Sequence, residues 1–343
     1  MRWTRRGKLV AVLTILLVLL ATPAFAGFLY LRSIGVLGSS DPGRRVEVEI
    51  PEGASASEIG RLLAEADVVP SAFGFRIALY FDGSGNNIEA GTYKLRTGLV
   101  ARDALDELEK GPVLEFVTVT FPEGSWLEDF ARILERDTQI SATDFMQALE
   151  SGTVRSRYQP GRVDSLEGLL FPSTYQIVEE DDARSVATRL AATLEERVDA
   201  LDASRLENLG VSPYEAIIVA SMVEAEAKVP GDRKKIAAVI YNRRAEGMAL
   251  GIDATVLYAL GEHKETLTRS DLQVDSPYNT RRFAGLPPTP IGAPGRGALE
   301  AAFDPAGGEW LYYVLTDCEG RHSFSVNYQD FLRDKATYQG LTC

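Results

Sequence analysis

The sequence predicts an α+β protein in three parts. These are an N-terminal membrane helix, a small α+β domain, and a larger mixed α/β domain with a candidate catalytic glutamate on a helix. Three observations lead there. A long uncharged apolar run follows a basic N-terminus, a strand–turn–helix pattern occurs twice at a fixed offset, and from about residue 151 the chain becomes dense in helical and motif-like sequence. With 343 residues it can bury two or three modest cores.

The chain opens on a basic tail, residues 1–8 (MRWTRRGK), and then carries no charged side chain from Leu9 to Leu31. These 23 residues exceed the ~20 that a helix needs to cross a bilayer core. Cations before the segment keep that end in the cytoplasm and place the body on the extracytoplasmic side of the cytoplasmic membrane. A cleaved signal peptide is the rival reading, since Ala24-Phe25-Ala26 fits a small-x-small cleavage site. The apolar continuation Phe28-Leu29-Tyr30-Leu31 favours a single uncleaved anchor over 9–31.

Residues 32–45, rich in Gly, Ser and Pro near their end, read as a linker. A first α+β domain follows over 46–115. Val46, Val48 and Ile50 alternate with charged residues as a half-buried strand does, Pro51-Glu52-Gly53 turns the chain, and Ser57 can cap a helix that buries Ile59, Leu62 and Leu63. GTYKLRTGLVARDALDELEKG (91–111) adds a strand, a glycine turn and a helix. The opening pattern returns 71 residues later as VTVTFPEGSWLEDFARIL, with Pro122-Glu123-Gly124 as its turn. We place the start of the larger domain, 116–343, at this second copy. A further helix is expected after residue 182, in ARSVATRLAATLEERVDALD.

Net charge excludes some functions. The first 32 residues hold five cations and no acid, so the remainder carries −18 against −13 for the whole chain. A body so acidic is unsuited to nucleic acid or to an anionic lipid surface. Two cysteines, Cys318 and Cys343, are too few for a disulfide scaffold, although export permits one bridge between them. Two histidines and two cysteines scattered through the sequence form no metal-ligand pattern, and neither a phosphate-binding glycine loop nor a nucleophile elbow is present, so no metal or cofactor is implied.

Ser212-Pro213-Tyr214-Glu215 is a capping box with proline at the first helical position, so a helix should run from 213 to about Lys228. At ~100° per residue, with Ile217 at zero, Glu215 and Glu226 fall together near 160–180° and Glu224 near 340°. Glu226 then continues a solvent-facing edge begun by Glu215. Glu224 instead sits among Ile217, Ala220 and Ser221, where desolvation would raise its pKa and suit it to donate a proton. The helix geometry alone leaves open a structural role for Glu224, hydrogen-bonded to a neighbouring loop.

Several stretches carry a family pattern. They are Ser221-Met222-Val223-Glu224-Ala225-Glu226, Val239-Ile240-Tyr241-Asn242-Arg243 and Asp253-Ala254-Thr255-Val256-Leu257-Tyr258. Around them lie LEGLLFPSTY (166–175), SPYNTRRFAGLPPTPIGAPG (276–295) and GRHSFSVNY (320–328). Together, and in this order, they resemble the endolytic lytic transglycosylases (YceG-like) of bacterial cell walls. The domain at 46–115 resembles LysM-like glycan-binding modules; a spacer that binds nothing is the alternative.

The resemblance implies cleavage of the β-1,4 bond between N-acetylmuramic acid and N-acetylglucosamine in nascent peptidoglycan strands, leaving 1,6-anhydro ends, with Glu224 as the catalytic acid and base. It implies peptidoglycan synthases as neighbours and no cofactor. Candidates for holding the glycan are Asn242, Tyr278, Asn279, Thr280 and Glu226. Asp253 is expected to cap a short helix over 254–260, and His322 to make a structural hydrogen bond. Arg281, Ala293 and Gly297 depart from the family, which favours an aromatic, an asparagine and a serine there. A muramidase that uses water, with Glu226 or Asp253 as second carboxylate, and a non-catalytic wall-binding protein are the competing readings.

Overall fold

In the computed structural model, residues 5–82, 88–113, 116–264 and 266–339 are described. Cys343 lies outside them, and with it the expected Cys318–Cys343 pairing. The chain divides into two compact units, Met1–Glu115 and Phe116–Cys343.

The first unit begins with α1 (Arg5–Ser33), whose segment Leu13–Ser33 has a mean hydropathy of 2.1 and is nowhere buried. The chain from Ile34 to Arg44 is no free linker. Ala101 N–H donates to Gly35 O at 2.9 Å, Asp41 N–H to Gly98 O at 3.1 Å and Gly43 N–H to Thr97 O at 2.8 Å. Val100 N–H reaches Ser40 Oγ at 2.8 Å, and that hydroxyl also bonds Asp103. Small residues let this backbone lie flat against the loop it pairs with.

β1 (Arg45–Ile50), α2 (Ala56–Glu65), α3 (Ala72–Asp82) and β2 (Gly91–Arg96) come next, then α4 (Ala101–Leu108). β1 and β2 pair antiparallel from Arg45↔Arg96 to Ile50↔Gly91. The cap of α2 is Ser55 rather than Ser57: its hydroxyl accepts Glu58 N–H at 3.3 Å. The unit's core gathers Val48, Ile50, Ile59, Leu63, Phe75 and Tyr93, among others.

The second unit repeats the order strand–helix–helix–strand in β3 (Phe116–Thr120), α5 (Leu127–Asp137), α6 (Ala142–Glu150) and β4 (Thr174–Val178). β3 and β4 are antiparallel, from Phe116↔Val178 to Thr120↔Thr174. Phe121 stacks on Phe130 with centroids 4.5 Å apart beneath this layer. α7 (Ala183–Asp199) and α8 (Ser204–Leu209) lead to α9 (Pro213–Glu226). α10 (Arg233–Ala245), α11 (Asp253–Leu260) and α12 (Arg296–Phe303) pack against α9. The chain closes with the hairpin β5 (Tyr312–Leu315) and β6 (His322–Ser325), followed by α13 (Tyr328–Gln339).

α9 starts as its capping box requires, with Glu215 N–H on Ser212 Oγ at 3.2 Å and Ser212 N–H on Glu215 Oε2 at 2.7 Å. It ends two residues earlier than expected, where Ala227 becomes extended ahead of Pro230. Tyr214 and every residue from Ala216 to Val223 are buried. A helix apolar all round over its middle belongs inside a core; of the expected solvent-facing edge, the Glu215 side chain remains 37% exposed while Glu226 is covered.

Glu167, in the Leu-Glu-Gly segment, is 2% exposed. Its carboxylate accepts Leu127 N–H at 3.4 Å, Gly168 N–H at 3.2 Å and the Tyr258 hydroxyl at 3.2 Å, joining three parts of the second unit. Burial dominates these donors and pushes its pKa from 4.5 up to about 8. The folded state therefore holds a proton that the unfolded chain gives up near pH 4.5. Stability contributed by this proton is full at low pH and is lost as pH rises through about 8, with a slope of at most ~1.4 kcal/mol per pH unit. Glu167→Gln, which cannot ionise, should flatten the fall in melting temperature between pH 5 and 9. Parallel wild-type and variant curves would contradict the assignment.

Candidate active site

The site grows from the last turn of α9. Ser221 Oγ donates to Ile218 O at 2.8 Å and accepts Ile291 N–H at 3.0 Å, which lays the Pro/Gly loop 287–295 along the helix. The far side of that loop is sewn to the second Pro-Glu-Gly turn: Gly124 N–H donates to Ala293 O at 2.7 Å, and Ala293 N–H to Ser125 O at 2.8 Å. Gly295 leaves room for the Glu123 carboxylate, which would have to move aside for a Cβ built there.

Glu224 projects into this junction. Its side chain is 10% exposed, and Oε2 accepts Gly295 N–H at 3.0 Å. Arg233, the first residue of α10, holds Nη2 3.8 Å from Glu224 Oε1 and 4.0 Å from Glu123 Oε2. Burial raises the Glu224 pKa most, and the neighbouring Glu123 charge raises it further; the Gly295 N–H and Arg233 oppose them without reversing the direction. A carboxyl in the last turn of a helix also faces the negative end of the helix dipole, which disfavours its ionised form. The group can hold a proton closer to neutrality than an ordinary glutamate.

Beside Glu224 opens a cleft of about 430 Å³, walled by Trp126, Ala225, Leu257, His263, Lys264 and Ile291 among others. Glu224 itself is not among the residues that line the cleft; its helix neighbours Ser221 and Ala225 are. The Trp126 ring stacks on His263 at 3.8 Å between centroids and meets Tyr258 edge-on at 5.3 Å. Flat aromatic faces with polar rims suit a sugar ring, which has apolar C–H faces and hydroxyl edges.

Glu226 is a correction to the helical-wheel reading. Its carboxyl is enclosed, receives the Tyr313 hydroxyl at 2.7 Å, and has its pKa raised chiefly by burial. The β5–β6 hairpin covers the side that was expected to face water. Behind it, Asp232 Oδ2 accepts His322 N–H at 2.8 Å and lies 3.0 Å from His322 Nδ1, so His322 serves the structural hydrogen bond expected of it.

The other candidates for glycan contact are held elsewhere. Asn242 Nδ2 donates to Gly308 O and Trp310 O, both at 2.9 Å. Asn279 is fully buried, with Nδ2 on Leu272 O at 3.1 Å and Val274 O at 2.9 Å. Thr280 is 1% exposed and its hydroxyl pairs with Thr255 at 2.8 Å. The Tyr278 hydroxyl pairs with Thr289 at 2.8 Å. These bonds fasten loops; Asn279 and Thr280 are buried and already satisfied, whereas Asn242 and Tyr278 stay half-buried. Asp253 likewise is not the cap of α11, a position taken by Ile252; its Oδ1 accepts Arg281 Nε at 2.6 Å. The arginine that departs from the family pattern thus has a partner within this chain.

Glu123, Trp126, Arg233 and His263 were not anticipated as site residues. Glu123 was visible only as a repeated turn, and nothing local marks the others. Among the described residues no group of three or more His, Cys, Asp or Glu could hold a metal ion.

The YceG-like family profile matches residues 48–337. An endolytic murein transglycosylase of Bacillus subtilis is 30% identical over 326 residues, covering 91% of this chain and 89% of that protein. One from Streptococcus pneumoniae is 29% identical over 355 residues, and there the match spans 94% of this chain but only 64% of the longer relative. A crystal structure of a YceG-like protein from Listeria monocytogenes superposes with a TM-score of 0.56 at 30% identity, over 85% of this chain and 99% of that one. With most of its length matched in sequence and in structure, the chain belongs to the YceG-like family.

Proposed function

We propose that this protein is a membrane-anchored lytic transglycosylase that cuts peptidoglycan strands internally. Relatives that bear the name endolytic murein transglycosylase over nearly the full length support the activity. The observation that carries the residue assignment is the enclosed Glu224 carboxyl, with a raised pKa, on a helix whose Ser221 and Ala225 line a cleft that also holds Trp126 and His263.

Glu224 begins protonated and gives its proton to the glycosidic oxygen as the bond from that oxygen to the anomeric carbon of N-acetylmuramic acid breaks. The carboxylate then takes the proton of the C6 hydroxyl of the same sugar while that oxygen bonds to the anomeric carbon. The products are a free 4-hydroxyl on the leaving strand and a 1,6-anhydro ring on the other. Glu224 is reprotonated and no water is consumed. Ordinary glycosidases need two carboxylates for this work; here the second is replaced by a nucleophile tethered to the reacting ring, which removes most of the entropic cost of attack. The two carboxylates considered for a water-using muramidase are both engaged, Glu226 by Tyr313 and Asp253 by Arg281.

The strand–helix–helix–strand order of the first unit supports the LysM-like reading and a role in holding glycan. The exposed apolar span of α1 supports an anchor that leaves both units extracytoplasmic. Synthesis enzymes that deliver nascent strands are the partners this placement suits.

Glu224→Gln should lower turnover of purified glycan strands by at least ~100-fold, the lower range for loss of a general acid–base group, and 1,6-anhydro ends should disappear from the mass spectrum of the products. Wild-type turnover is supported by protonated Glu224 and should fall as pH rises through its elevated pKa. Full activity in the Gln variant, or reducing ends in wild-type products, would overturn the reading. For the anchor, membranes should yield a chain that retains residues 1–26; a mature N-terminus at Gly27 would mean cleavage after Ala24-Phe25-Ala26 instead.

A further inference from the structure

The carboxylate nearest Glu224 in space comes from a distant turn, and one guanidinium lies between the two. Arg233 Nη2 stands 3.8 Å from Glu224 Oε1 and 4.0 Å from Glu123 Oε2. Neither separation is a formed hydrogen bond, which would be ~2.7–3.2 Å. Arg233 Nε is buried with no hydrogen-bond partner, so that nitrogen binds the guanidinium to nothing else. Room for the group comes from Gly297, where a Cβ would sit 2.5 Å from Arg233 Nη1. On the opposite side Gly295 clears space for the Glu123 carboxylate while its N–H binds Glu224. Glu123, Arg233 and the Gly295 N–H are the groups that face the Glu224 carboxyl, and they come from the turn after β3, the start of α10 and the loop before α12.

A cation shared between two carboxylates gives each only part of its attraction. Alone beside Glu224, Arg233 would close on it and favour the ionised form, which has no proton to donate. We propose that Glu123 is a positioning residue: it draws the Arg233 guanidinium partly away from Glu224 and so keeps the catalytic carboxyl able to hold its proton. This rests on Glu224 being the acid–base group. The half-exposed Glu123 side chain touches no reacting atom in this scheme; beyond the direct effect of its charge on Glu224, it acts through Arg233.

The test is the pH dependence of kcat/KM on purified glycan strands for the full-length protein in detergent. Glu123→Gln should move the alkaline limb to lower pH while the acid plateau keeps its wild-type height. Each pH unit of movement is a tenfold loss at any pH above the limb. Glu123→Asp keeps the charge and should return the limb towards wild type. Arg233→Gln should move the limb upward, and adding Glu123→Gln to it should then shift the limb clearly less than it does in the wild-type background, as expected for residues that act partly through one contact. Melting curves of each variant show whether it is folded. A folded Glu123→Gln protein whose limb stays in place, or whose rate falls by one factor at every pH, overturns the proposal. So does a limb that moves as far in the Arg233→Gln background, since Glu123 would then act on Glu224 by its own charge alone. Glu224→Gln is assayed beside them: if it remains active, the acid–base assignment fails, whereas its loss together with an unmoved Glu123→Gln limb removes only the role of Glu123.

Discussion

A helix buried along most of its length can turn few of its polar groups towards water, and α9 is buried from Ala216 to Val223. Each polar side chain in its second half must be met by something brought to it, or its burial costs more than folding can offset. Ser221 is met by the Ile291 N–H, Glu224 by the Gly295 N–H and Glu226 by the Tyr313 hydroxyl. The Pro/Gly loop, the approach to α12 and the terminal hairpin all hang from these three points. The site is where the fold satisfies the end of a buried helix, and the residue met least completely is Glu224.

Much of this could be read from the sequence, and the failures share one cause. The start of α9 was legible because a capping box is local: Ser212 and Glu215 need only each other. The separation of Glu224 from Glu226 around the axis was also legible, because helical angle is fixed by count. What each side faces was not. The wheel assigned Glu226 to water, whereas Tyr313 reaches it from 87 residues downstream. Asn279 and Thr280 have residue types suited to sugar contacts, but their hydrogen bonds close loops that only the fold defines. α3 went unread since it is apolar on two faces, with Phe75 and Leu79 inside and Phe73, Tyr80 and Phe81 outside. No single stripe marks such a helix.

The repeated turn shows how one piece of sequence takes on two duties. Both copies lie between a strand and a helix, and in both the strand–helix–helix–strand unit pairs its outer strands antiparallel. Glu52 in the first copy is exposed. Its counterpart Glu123 lies beside Arg233, because the loop before α12 is pinned against its turn at Ala293. The same three residues therefore serve as a plain reversal in one unit and as part of the site's electrostatics in the other.

The stretch after α1 has a mechanical consequence. Gly35, Ser40, Asp41 and Gly43 are all bonded to the segment between β2 and α4, so the chain there has no coil to pay out. A pull on the first unit therefore passes straight to α1 instead of stretching a leash. The first unit and the end of α1 move together.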